Sequence, residues 1–210
     1  MKQYLIKYGA LVLLLLSMQQ SKAQSAGSAT TYQGLGVTSG DIQSDAADSL
    51  YIGPGTYQID GTWNIYSKNV AIDPQAVITG AGTINFYNPS DAGGAASATM
   101  IDGNNSSNAI GVNIALQNAS GAKLANIDFP SDLTASGFTN SVSNNVLTGA
   151  GLSLAINGAN VDLNGNDLIL NSAATISNYS ANRLVITDNS ITGHLVKQGL
   201  SSQFTYPVGI

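Results

Sequence analysis

Asn157, Asn164, Asn171 and Asn178 recur every seven residues, and the first three each close a short aliphatic run: Leu154-Ala-Ile156, Val161-Asp-Leu163 and Leu168-Ile-Leu170. A heptad suggests a coiled coil, but coiled coils separate their apolar positions by three and four. Here the gaps are two and five. A gap of two places both side chains on one face of a strand, and the gap of five skips a corner. Gly158, Gly165 and Ser172 follow the asparagines directly. Asn and Gly tolerate the positive φ that tight corners demand. Two architectures accept this pattern. In an antiparallel β-meander or sandwich each Asn-Gly is a hairpin turn, and Asp162 lies opposite Asp167, a repulsive pair. In a β-solenoid each Asn-Gly is a corner between successive sides, and three units make one coil. The sequence favours the second: an all-β, right-handed, β-solenoid-like fold (a parallel β-helix) with Asn/Gly corners. Leu154, Ile156, Val161, Leu163, Leu168 and Leu170 would then fill the tube.

Residues 1–23 read as a secretory signal peptide. Lys2 and Lys7 precede the apolar run from Gly9 to Met18, and Ser21-Lys-Ala23 supplies small residues for cleavage. The run is shorter than the roughly 20 apolar residues of a membrane span, and no second candidate span follows. Residues 24–49 are expected to be a loose leader, 50–205 the β-solenoid-like domain, and 206–210 the start of a truncated following segment. The mature part contains twelve aspartates, no glutamate, and only Lys68, Lys123, Arg183 and Lys197 as basic residues. Such an acidic chain lacks the basic patches that nucleic acid requires. Cysteine is absent, which excludes disulfides and thiolate metal sites.

The chemistry-bearing residues are few. Asp162, Asn164 and Asn166 resemble the start of a calcium loop, but the sixth position is Asp167 instead of Gly and the twelfth is Ala173 instead of Glu. Asp162 and Asp167 remain candidate cation ligands only if the meander brings them together. His194 is the sole histidine and is expected to be structural, since one histidine without cysteine or glutamate makes no ordinary zinc site. No cofactor is expected. Asp60 and Asp102, each in Ile-Asp-Gly, are candidate carboxylates for glycoside chemistry, although each reads first as a turn residue. Trp63 with Tyr66, and Phe86 with Tyr87, offer a sugar-stacking platform, against which stands ordinary core packing. Trp63, Tyr66 and Asp102 are the candidate ligand-binding residues. Asn118-Ala-Ser120 and Asn178-Tyr-Ser180 match the N-glycosylation acceptor. Thr79-Gly-Ala-Gly82 recurs as Thr148-Gly-Ala-Gly151, a sign of internal duplication.

Gly61-Thr-Trp-Asn-Ile-Tyr-Ser67, Ala76-Val-Ile-Thr-Gly-Ala-Gly-Thr-Ile84 and Ile101-Asp-Gly-Asn104 occur in that order. Leu124-Ala-Asn-Ile-Asp-Phe-Pro130, Ala174-Thr-Ile-Ser-Asn-Tyr-Ser180, Gly193-His-Leu-Val-Lys197 and Phe204-Thr-Tyr-Pro-Val-Gly209 follow. This series resembles the N-terminal region of large cell-surface, adhesin-like proteins of Bacteroidetes bacteria exported by the type IX secretion system. The resemblance implies a surface or adhesive role and supplies no catalytic residues. It also implies further domains of the same polypeptide, of which this chain would be a fragment. The expected function is therefore a secreted or cell-surface structural, adhesin-like module, non-catalytic, with glycans, host or neighbouring cell surfaces as partners. The alternative is an extracellular polysaccharide-binding or polysaccharide-degrading β-helix protein, a lyase or glycoside hydrolase.

Overall fold

The computed structural model describes residues 27–103, 110–140, 145–148, 152–187, 192–199 and 203–210. It is all-β, with long parallel sheets. The largest sheet has eight strands in chain order: β1 (Ala29–Tyr32), β4 (Ser49–Ile52), β7 (Asn69–Ile72), β9 (Thr99–Asp102), β11 (Ala122–Leu124), β14 (Val161–Asp162), β17 (Val185–Ile186) and β19 (Val208–Gly209). The second holds β2 (Leu35–Val37), β3 (Ile42–Asp45), β5 (Gly55–Ile59), β6 (Thr62–Ile65), β8 (Ala76–Phe86), β10 (Gly111–Leu116), β13 (Ser153–Ile156) and β16 (Thr175–Ser177). The third holds β12 (Asn145–Thr148), β15 (Asp167–Leu170) and β18 (Leu195–Lys197).

Every ladder between these strands is parallel, so the antiparallel meander is not the arrangement adopted. Parallel neighbours need a connection that carries the chain back to its starting end. Here strands of the other sheets provide it. From β4 the chain passes through β5 and β6 before returning beside β4 as β7. From β14 it passes through β15 and β16 before returning as β17. Asn157, Asn164 and Asn171 each lie between strands of different sheets. Asn164 and Asn178 adopt φ of 48° and 60°, the left-handed region that asparagine tolerates. Asn178 lies one circuit beyond Asn157 and donates its amide to it at 2.7 Å, 21 residues apart in sequence.

Alternation sends one set of side chains inward. Leu154, Ile156, Val161, Leu163, Leu168 and Leu170 are all buried in one core with Leu50, Ile52, Ile65, Val70 and Ile114. Each fully buried Leu or Ile contributes about 1.5–3 kcal/mol relative to exposure. The interior cavity, about 20 Å³, is lined wholly by apolar side chains from Ile52 to Leu168. Such a void stays dry and holds no chemistry.

Among the described residues strands begin at Ala29: β1 to β3 lie within 29–45, where a loose leader over 24–49 is expected from the sequence. This first circuit looks unlike a core because it is the end of the stack. Ile42 is exposed, and Asp45 occupies an inward position instead of an aliphatic residue. Asp45 accepts from the Tyr32 hydroxyl at 2.9 Å and from Trp63 Nε1 at 2.6 Å. Residues 208–209, expected to lie in a following segment, pair with β17 and continue the same sheet. Residues 1–23, the second Gly-Ala-Gly at 149–151, and 104–109 lie outside the described residues. Among the described residues no helix is long and apolar enough to cross a membrane.

Two segments lengthen the circuits. One runs from Tyr87 to Ala98 and contains a 3-10 turn, Pro89–Ala92. The other follows β11 and contains a short helix, α1 (Ser131–Ala135). It folds over the outer face of the largest sheet. There Phe129 and Phe138 pack with Ala71, Tyr51, Ile127 and Leu133 in a second apolar cluster.

Candidate functional site

Thr62-Trp-Asn-Ile-Tyr66 and Thr83-Ile-Asn-Phe-Tyr87 share the pattern Thr-x-Asn-x-Tyr. In a strand, alternate residues share a face. Trp63 and Ile65 therefore point in with Ile84 and Phe86, while the threonines, asparagines and tyrosines lie on the opposite face, where Asn85 is 9 % exposed and the other five are half-buried. The two copies occupy adjacent strands in exact register, Thr62 beside Thr83 and Asn64 beside Asn85. Asn85 donates its amide to the Asn64 carbonyl at 2.9 Å. Beyond the strand ends, the Tyr87 amide donates to Ile65, as the Tyr66 amide does to Asp45. This continues the ladder and lays Tyr66 against Tyr87, ring centroids 5.0 Å apart and planes 15° from parallel.

The array is the centre of a longer face. One outward column reads Ile42, Thr62, Thr83, Asn113, Ser153, Thr175; its neighbour reads Ser44, Asn64, Asn85, Ala115, Ala155, Ser177. Neither contains a charge. The lengthening segments leave through the corners, so both columns keep one residue per strand while chain separations vary. The contrast with the adjoining polar surface is in hydrogen bonding. Gln58 donates to both oxygens of Asp60 and accepts from Thr79, and Asn113 accepts from the Ser153 amide and hydroxyl. In the central array, the Asn64–Asn85 bond is the one side-chain hydrogen bond among the described residues. The hydroxyls of Thr62, Thr83, Tyr66 and Tyr87 keep their capacity for other partners. Burial, with Tyr87 and Asp91 nearby, raises the Tyr66 phenol above its ordinary value, so it is neutral.

The expected candidates fall elsewhere. Trp63 is fully buried, stacked on Tyr57 with planes 8° apart. It offers no face to a sugar, which corrects its place in a platform. Phe86 is also inside, so the outward aromatic pair is Tyr66 with Tyr87. Asp102 is 2 % exposed and accepts from the Ile127 amide at 2.8 Å, fastening the segment that follows β11. Asp60 accepts from the Gln58 amide and caps the Ala81 amide, contacts that hold its carboxyl below the usual range. Asp60 lies between β5 and β6 of the second sheet, whereas Asp102 ends β9 of the largest sheet, and each has its own backbone partner. Asp162 and Asp167 lie on separate sheets. Asp162 pairs with Lys123 at 3.2 Å and caps the Asn164 amide; Asp167 accepts from the His194 amide and meets its Nδ1 at 2.9 Å. The opposed-carboxylate site of the meander is not formed. Asn118 is 1 % exposed and its amide is bound to Ser97 and Thr99, which removes it as a glycan acceptor in the folded chain. Asn178 is exposed.

The repeated Thr-x-Asn-x-Tyr was the available signal for this array. Adjacency drew attention to Trp63-Tyr66 and Phe86-Tyr87, whereas parity within the strand separates each pair. No family model, curated protein or solved structure matches this chain.

Proposed function

We propose that the chain is a secreted, right-handed β-solenoid module of a bacterial cell-surface protein, with a structural and adhesive role. The observation that carries this reading is the uncharged outward face centred on Thr62, Asn64, Tyr66, Thr83, Asn85 and Tyr87, repeated in register on a protein whose formal net charge is −5. The right hand follows from the twist that makes parallel crossovers right-handed in nearly all sheets. A flat, rigid array of this kind binds through many modest contacts spread along an extended surface. The resemblance to adhesin-like surface proteins supports export and a place in a longer polypeptide. The candidate carboxylates fit this role too, since Asp102 and Asp60 cap backbone amides.

The test is adhesion of the purified chain, without its first 23 residues, to bacterial and host cell surfaces. Retention above a neutral, similarly sized control protein is expected. Retention equal to the control rejects the adhesive role.

A further inference from the structure

We infer that the paired Thr-x-Asn-x-Tyr array is a binding site for an uncharged, extended polysaccharide; this rests on the adhesive reading and names its ligand. Three properties of the array point to that chemistry.

The first is unused hydrogen-bonding capacity. After the Asn85–Asn64 bond, half-buried Asn64 keeps its amide donors and Asn85, 9 % exposed, its carbonyl acceptor; no other side-chain hydrogen bond engages either among the described residues. A donor and an acceptor from neighbouring strands match the adjacent hydroxyls of a sugar ring, which both donate and accept. The threonine and tyrosine hydroxyls extend the set on either side.

The second is the aromatic edge. Sugars present C–H faces as well as hydroxyls, and an aromatic body with a polar tip satisfies both. Tyr66 and Tyr87 are held parallel by each other. In the preceding strand, the residue at this position of the column is Ala46, whose methyl is too small to cover the Tyr66 ring. The repeat along each column is the strand spacing of about 4.8 Å, near the length of one pyranose in an extended chain. Two successive sugars running along the columns therefore meet the same side chains from β6 and β8.

The third is charge. The array contains no cation to neutralise an acidic sugar, and Asp91 acts on the Tyr66 phenol from beside it. An anionic polymer meets a net acidic protein with nothing at the site to offset the repulsion. An uncharged glycan meets no such barrier.

The experiment uses the chain from residue 24 onward, titrated calorimetrically with hexasaccharides of β-linked glucose, β-linked mannose and β-linked N-acetylglucosamine. Oligogalacturonate and oligoalginate serve as acidic counterparts. At least one neutral oligosaccharide is expected to bind, with the acidic ones weaker. Tyr66→Ala and Asn64→Ala should each weaken that binding by about tenfold or more, as loss of a central contact does. Thr62→Val, which keeps the shape, covers the case in which a larger truncation disturbs folding, and should weaken binding with an unchanged melting temperature. Thr56→Ala, on the other half of the sheet, should bind as the parent does. No neutral binding up to millimolar ligand, stronger acidic binding, or parent-like binding by Tyr66→Ala, Asn64→Ala and Thr62→Val together would overturn the site. Cell adhesion is measured on the same variants. Adhesion that persists in all three removes the glycan site and leaves the adhesive role standing; absence of adhesion in the parent removes that role.

Discussion

Tyr66 stacks on Tyr87 although a full circuit of chain separates them, and the same offset sets Asn64 against Asn85, 21 residues apart. The relationship joins sequence to surface. A repeated pattern of alternate residues becomes a two-dimensional array only because neighbouring strands run parallel and in register. The stack also has a structural share, since aromatic pairs contribute about 0.5–1.5 kcal/mol beyond burial. Tyr87→Ala should therefore lower stability by about 1 kcal/mol in chemical denaturation, and Tyr66→Ala by a similar amount, with the double variant costing less than the sum.

The polar plug at the end of the stack should be far less tolerant. Asp45 is the shared acceptor of Tyr32 and Trp63, both within 3 Å of its oxygens, and it is buried. Asp45→Ala leaves the buried Trp63 N–H and the half-buried Tyr32 hydroxyl without an acceptor, at about 1–3 kcal/mol for the buried donor and less for the other. Urea denaturation should show a loss of about 2–4 kcal/mol on this basis, discounted for overlap. Asp45→Asn, which keeps an acceptor oxygen, should recover part of it.

Alkaline stability follows from the same region. Burial raises the Tyr57 phenol from 10.0 to about 12, where it donates to the carbonyls of Tyr32 and Gly53. The Tyr32 phenol is raised also, by burial and then by Asp45. A raised folded value means that the fold favours the neutral phenol. Its contribution is fully present below the unfolded value of 10.0 and is lost as pH rises through about 12. Melting temperature should therefore fall steeply between these limits, and less steeply in Tyr57→Phe.

Gly80 and Gly82 let β8 bend while it pairs with both β5 and β6. A Cβ on Gly80 would collide with the Ile59 carbonyl and one on Gly82 with that of Gly61, and Gly80 has φ of 133°. Gly80→Ala and Gly82→Ala should each cost more than about 2 kcal/mol, beyond the small effect of Gly→Ala at a compatible site. Thermal denaturation by circular dichroism reads the loss.

The segment after β11 should detach without loss of the core. Phe138 packs beneath Gly53, Asp73 accepts from the Thr139 amide at 2.6 Å, and Asp102 accepts from the Ile127 amide. Phe138→Ala removes the apolar anchor. Limited proteolysis should then cut within residues 126–140 much faster than in the parent, while the main melting transition moves little, as local unfolding requires.

The sequence spoke clearly where strand, corner and repeat were short and unbroken. The run from Leu154 to Leu170 is such a place: its aliphatic pairs are buried, and its asparagines lie at corners. It was silent where partners depend on long-range offset. Asn69 pairs with Met100 and Ala122 with Val161 because inserted segments lengthen those circuits, and no local pattern announces that. Residues 29–45 were unreadable as strands because an end circuit carries little aliphatic content and puts Asp45 where others put Ile or Leu. Asp102 in Ile-Asp-Gly looked available for chemistry because sequence does not show that another segment folds back to donate to it.

The fold and the tyrosine array depend on parallel, in-register stacking, and paired cysteines test it most directly because the chain has none of its own. Lys123 and Asp162 are register partners in the parallel ladder, whereas Asp162 and Asp167 lie on separate sheets. A short thiol-specific cross-linker should join the pair Lys123→Cys and Asp162→Cys rapidly, and the pair Asp162→Cys and Asp167→Cys slowly. Rapid joining of the second pair with none of the first would place the carboxylates opposite each other across a hairpin and contradict the fold, and with it the tyrosine array.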